Sequence, residues 1–184
     1  MGIYIVAITA LFFLAFAFFA VGQASVARNS AQSAADAAAL AAARESRDEA
    51  HDALLAALKA GDTDKLGHLL QLLGDDDEGP CRMAQVFAND NGARADDCER
   101  SSDPAGYTVY VQSLHGIGKT VVHDADDVRA EAHATAEVTS RCPGLESQGG
   151  IITFTCDDGN VTVDPKADDF TLDLSVFYAV HLTS

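Results

Sequence analysis

The sequence predicts an α+β protein: a long N-terminal membrane-spanning α-helix followed by a small antiparallel β-sheet domain with one or two short helices. Three observations carry that prediction. An uncharged run, IYIVAITALFFLAFAFFAVG (3–22), passes without a break into an alanine-rich run, QASVARNSAQSAADAAALAAA (23–43). Period-two patterns of apolar residues begin after Pro104 and recur to the C-terminus, as half-buried strands require. All four cysteines lie beyond the helix, an arrangement typical of a small exported domain.

At helical rise the first run covers about 30 Å, the thickness of a bilayer's hydrocarbon core. Its spanning side chains include Ile3, Val6, Leu11, Phe12, Leu14, Phe16, Phe18 and Val21. Thr9 can bond back to the preceding turn, so no polar group is left unpaired in lipid. The competing reading is a cleaved signal peptide, with small residues at Ala20, Gly22 and Ala24. The run is longer than a typical signal core and has no basic segment before it, which favours a retained anchor.

In the second run Ala20, Ala24, Ala27 and Ala31 recur at 4-3-4 spacing, which continues through Ala34, Ala38 and Ala41. That is a seam of methyl groups on one face, with Ser25, Arg28, Gln32 and Asp36 roughly opposite. Small residues let another backbone approach closely, which is how helices associate in lipid. Alanine's helix propensity alone would also explain the run, and beyond Ala34 any period fits. The helix is expected to extend to Ala60 with Gly61 as its C-cap, Arg44 and Asp48 pairing at i, i+4, and Leu54, Leu55 and Leu58 docking its last turns. The boundary follows: residues 1–60 form the membrane-spanning and oligomerisation helix, and 61–184 the exported, disulfide-stabilised α+β domain.

With 12 basic and 28 acidic residues the formal charge is -16, and no basic cluster exists to neutralise nucleic-acid phosphates. Nucleic acid is therefore excluded as a partner, and the membrane is contacted through the apolar helix. Cys81, Cys98, Cys142 and Cys156 lack zinc-ribbon spacing and read as disulfides. Three connectivities are open to four cysteines; Cys81 with Cys98 and Cys142 with Cys156 is favoured because each closes a local loop, worth roughly 3 kcal/mol. Arg28 argues weakly for a domain on the cytoplasmic side, but the cysteines outweigh it and place the domain outside.

Along the remaining chain, Thr63 is expected to cap a short helix ending at Gly74, and Pro80 to open another over CRMAQVFAND, closed by Asn91 and Gly92. The apolar face of the latter would be Met83, Ala84, Val86 and Phe87, with Cys98 in the loop after it. Strands then follow, four or five in all. Tyr107, Val109 and Val111 share one face, and Ala130, Ala132, Ala134, Ala136 and Val138 another. Such small inward side chains need something bulky lying close above, and the second half of the long helix is the candidate. IITFTC and VTVD form a hairpin about Asp158-Gly159. A last strand runs through DFTLDLSVFYAVHL, with Phe170, Leu172, Leu174, Val176, Tyr178 and Val180 on one face.

No catalytic constellation emerges and no cofactor is implied. HGIGKT (115–120) fails as a phosphate loop, since the motif's first glycine would fall on Ser113 and no helix pattern follows. Acidic clusters at Asp75 to Glu78, Asp124 to Asp127 and Asp157-Asp158 have oxygen ligands for calcium but no EF-hand spacing, and read as solvated loops. His115, His123 and His133 read as surface residues rather than a zinc set. No G-x-S-x-G elbow occurs. An anchored binding or adhesion module, stabilised by calcium, is the alternative to a structural role.

The stretch VGQASVARNSAQSAADAAALAAARESRD resembles the N-terminal region of TadE/TadG-like pseudopilins of tight-adherence (Flp) pilus systems, in the form found in actinobacteria. Asn29 and Ala31 to Ala43 carry the likeness, specific over about residues 10 to 45. It implies a pilin-like subunit, not an enzyme, that packs through its helix with other pilin-like subunits or with itself. The chain would sit first in the cell membrane by one pass and then in a cell-surface filament or its tip. Prepilins commonly carry a basic leader and a glutamate at mature position five, where this sequence has Ile5 and no leader.

Overall fold

The structure is a computed structural model and describes residues 2–71, 78–116, 128–167 and 170–183. One helix, α1 (Gly2–Ala60), runs unbroken through the apolar and alanine-rich segments. Gly61 ends it at φ 68°, and its amide donates back to Leu58, so the C-cap falls where a residue without Cβ was expected. Two short helices follow, α2 (Thr63–Gln71) and α3 (Glu78–Asp90). Asp62, rather than Thr63, caps α2, its carboxylate accepting from the Lys65 amide at 3.0 Å. Gly74, the expected end of that helix, lies outside the described residues. Asp48 pairs with Arg47 at 2.7 Å instead of with Arg44 one turn back.

Two antiparallel sheets complete the fold. The larger has the order β1 (Ala93–Ser102), β2 (Ala105–Gly116), β3 (Arg129–Ser140), β7 (Tyr178–Thr183). The smaller is β4 (Gly144–Gln148), β5 (Ile151–Cys156), β6 (Gly159–Val163). Four or five strands had been expected; β1 and β4 are the additions. The β1 sequence ARADDCERSS shows no alternation because only Ala93 is buried, with Ala95 and Cys98 partly so, and a bulge interrupts pairing between Ala95 and Asp97. A bulge and alternating charges suit an edge strand, which must discourage further pairing. Cys98 thus sits on a strand, not in a loop.

The inward faces of β2 and β3 agree with the sequence pattern. Tyr107, Val109 and Val111 are buried, as are Ala130, Ala134, Ala136 and Val138, with Ala132 packed at the margin. Against these small β3 side chains lies α1, presenting Ala34, Ala35, Ala38, Ala39 and Ala42. Methyl facing methyl brings helix and sheet close, and Leu54 and Leu58 fill the wider end; Leu55 is only half-buried. Gly106 on β2 shows how close packing is elsewhere, because a Cβ there would strike the Ala136 carbonyl.

Two expectations hold only in part: on α3 Ala84 is buried and Met83 half-buried as expected, but the rest of the face differs. The buried side of α3 is Gly79, Pro80, Ala84 and Ala88, which approach α1, while Val86 and Phe87 are exposed. Bulky residues would hold the two helices apart, so the small ones turn inward; a Cβ on Gly79 would run into the Glu49 carboxylate. The C-terminal segment is not one strand either. Asp173 accepts from the Ser175 amide at 2.9 Å and its hydroxyl at 2.7 Å, starting a single 3-10 turn, Leu174–Val176. The inward row nonetheless persists through the turn, with Leu174 and Tyr178 buried and Phe170, Leu172, Val176 and Val180 packed against the core, and Phe177 is buried in addition. Phe177 meets Phe154 of β5 edge-on at 4.9 Å, joining the two sheets. The β5–β6 turn is centred on Asp157-Asp158, with Gly159 (φ 123°) as the first paired residue after it.

Candidate membrane and assembly surface

The spanning residues expected from the sequence form a continuous exposed apolar surface on the first part of α1. Exposure runs from 50% at Phe16 to 79% at Ile3, with Val6, Leu11, Phe12, Leu14, Phe18 and Val21 between. An 18-residue window of α1 has no side chain buried, and the helix is long and apolar enough to cross a membrane. Single exposed apolar residues need no explanation; a whole helix of them requires lipid or partner helices. The Thr9 hydroxyl donates to the Ile5 carbonyl at 2.9 Å, which settles the run's one polar side chain before Gln23 apart from Tyr4.

The alanine seam divides in two. Ala31, Ala34, Ala38 and Ala41 are covered by the chain's own domain, at 0 to 6% exposure. Ala20 is exposed, and Ala24 and Ala27 are half-buried where the domain ends. In the row read as opposite the seam, Ser25, Arg28 and Gln32 are exposed and Asp36 half-buried, and the Gln32 amide donates to Asp36 at 2.8 Å and to the His133 carbonyl of β3 at 3.1 Å. Gln32 therefore locks the helix to the sheet edge, a role no periodicity would reveal.

Between α1 and the nearby end of the domain lies an open cleft of about 890 Å³, lined by Phe18, Phe19, Gly22, Gln23, Val26, Ala27 and Ser30 on one side. Gly92, Ser113, His115 and Gly116 form the other. His115, one of the sequence's three candidate histidines, thus has an apolar neighbourhood. His133 instead stacks on Tyr110 with ring centres 5.4 Å apart, on the outer face of the sheet, and His123 lies outside the described residues.

All four cysteines are bonded, Cys81 to Cys98 and Cys142 to Cys156. The first bridge ties the opening turn of α3 to β1, the second the exit of β3 to the end of β5. Among the described residues no group of three or more His, Cys, Asp or Glu is placed to hold a metal ion. Asp158 is engaged by the Arg141 guanidinium, whereas Asp75 to Asp77, Asp124 to Asp127 and HGIGKT from Ile117 onward lie outside the described residues. Two titrating groups are shifted. Hydrogen bonds from the Ser175 hydroxyl and amide hold the Asp173 carboxyl below its ordinary range, and burial pushes the Tyr178 phenol up to about 12.

Fold and surface together define a class: a long helix whose first part is apolar and long enough to cross a membrane, and whose second half is the core of a disulfide-bonded α+β domain. Residues 1–45 match the family model described as Flp pilus-assembly TadE/G-like. Over that stretch the chain is similar to this family, as its alanine-rich motif suggested. No curated protein and no solved structure matches the chain. The match ends at residue 45, in the last third of α1, so the sheets and disulfides lie beyond it.

Proposed function

We propose that this chain is a pseudopilin-like structural subunit: α1 anchors it in the cell membrane, and the Ala20–Ala24–Ala27 face packs against sister helices there and in a surface filament or its tip. The observation that carries this reading is the fully exposed apolar half of α1 inside the segment that matches the TadE/G-like family. Residues 1–60 serve as the anchoring and oligomerisation helix, and residues 61–184, folded around its second half, are the part carried outside. Two disulfides favour the external placement, since such bridges persist in oxidising compartments.

Within this reading the seam has two uses. From Ala31 onward it seats the chain's own sheet, and before Ala31 it stays available to another helix. Cysteine substitution tests the second use, because every native cysteine is already bonded. In membranes, Ala24→Cys should give covalent dimers on mild oxidation, and Asn29→Cys, exposed on another face, several-fold fewer. Equal yields at the two positions, or none at Ala24→Cys, would refute a specific helix interface.

A further inference from the structure

The cleft beside α1 has an uneven character. Phe18, Phe19 and Gly22 belong to the apolar run, yet the cleft they line is closed by Ser113, His115 and Gly116 at the end of β2. The end of the domain therefore reaches back alongside the final turns of the spanning segment. The same pole carries exposed apolar side chains that the core does not use. Leu114 is 40% exposed and its amide donates to the Gly92 carbonyl, just past α3; Val128, 49% exposed, adjoins Arg129, which pairs with Gly116. Arg129 is fixed there by the carbonyls of Ser113 and Leu114, at 3.3 and 3.1 Å.

A second helix is a poor occupant for this cleft. Phe18, Phe19 and Val26 stand in the path of an approaching backbone, whereas Ala20 and Ala24 of the small-residue face lie outside the cleft and only Ala27 borders both. Bulky apolar walls continuous with a lipid-facing segment, rimmed by Gln23, Ser30 and Ser113, suit a lipid: acyl chain inward, headgroup at the rim. A guanidinium at the same pole complements a phosphate. We propose that the pole bearing Leu114 and Val128 is seated in the bilayer's headgroup region, with a phospholipid occupying the cleft. This rests on the membrane-anchor reading and adds to it that the domain lies against the membrane instead of standing clear on a stalk.

The chain has no tryptophan, so a single introduced indole reports one position. The full chain would be reconstituted in phosphatidylcholine vesicles with and without acyl-brominated lipid. Phe16→Trp, within the span, sets full quenching, and Ile151→Trp, exposed on the smaller sheet, sets the background. Leu114→Trp and Val128→Trp should each be quenched by about half as much as Phe16→Trp or more. If both stay at the Ile151→Trp background while Phe16→Trp is quenched, the pole does not touch lipid and the proposal is wrong. A blue-shifted indole at both pole positions without quenching by brominated lipid would mean that protein covers the pole, and also overturns it. If Phe16→Trp itself is unquenched, the anchor reading has failed, and this inference with it.

Discussion

The Tyr178 hydroxyl, on β7, donates to the Leu69 carbonyl of α2 at 2.8 Å, joining segments 109 residues apart. Leu69 lies in the last turn of α2, where carbonyls have no partner within the helix. The phenol supplies that partner from within the core, since Tyr178 is only 2% exposed. Tyr178→Phe keeps the ring and strands the carbonyl, so it should cost about 1–3 kcal/mol in denaturant unfolding.

The same contact sets an alkaline limit. Burial raises the folded-state phenol from 10.0 to about 12. Between those values the unfolded chain releases a proton that the folded chain keeps, so stability falls as pH rises, by at most about 1.4 kcal/mol per pH unit. Below pH 10 the contribution is complete. Equilibrium unfolding from pH 9 to 12 should show that decline in the parent protein, and Tyr178→Phe should flatten it.

Gly106 meets a different constraint. A Cβ at this β2 position would collide with the Ala136 carbonyl, a backbone atom of the paired strand that cannot swing aside. Gly106→Ala should therefore separate β2 from β3 locally and cost about 2 kcal/mol or more. Gly67 of α2, with nothing near its Cβ position, is the control. Gly67→Ala should leave stability unchanged or raise it by up to about 1 kcal/mol. A thermal melt of each variant distinguishes the two.

The disulfides should contribute unequally to local order though similarly to overall stability. Each closes a loop of comparable length, with sequence separations of 17 and 14, worth about 3 kcal/mol in the unfolded chain. Replacing both members of either pair with serine should lower Tm by roughly 10 °C. Hydrogen exchange should then locate the loss, at α3 and β1 without Cys81–Cys98, and at β4 and β5 without Cys142–Cys156.

Much of this architecture was legible because local pattern and tertiary role coincide. The apolar run, the inward rows of β2 and β3, and Gly61 each follow from one side chain's chemistry at one position. What stayed hidden depends on neighbours distant in sequence. The β1 strand has no alternating apolar row because only Ala93 of it is buried and a bulge between Ala95 and Asp97 breaks its register. Which side of α3 faces inward was set by how closely α1 can approach, and that favoured Ala84 and Ala88 over Val86 and Phe87. The C-terminal break depends on the Asp173–Ser175 contact, which interrupts the strand while the inward row from Phe170 to Val180 stays packed on the core. For the candidate surface, spacing identified the alanine seam but could not say where the chain's own sheet stops covering it.

That division makes the seam separable by substitution. Ala31 is 1% exposed against the domain, whereas Ala24 is half-buried at its margin and Ala20 is exposed. Leucine at 31 adds three carbons to a filled space, so Ala31→Leu should destabilise folding by about 1–3 kcal/mol. Ala20→Leu and Ala24→Leu meet no such packing and should leave the melt of the domain almost unchanged. If sister helices use this face, the same two variants should weaken self-association in detergent or vesicles, because added bulk holds backbones apart. The pairing of readouts is decisive: an unaltered melt with reduced oligomer size at positions 20 and 24 assigns the free seam to assembly. Oligomer size that persists in the Ala20→Leu/Ala24→Leu double variant would instead move the interface to another face of α1.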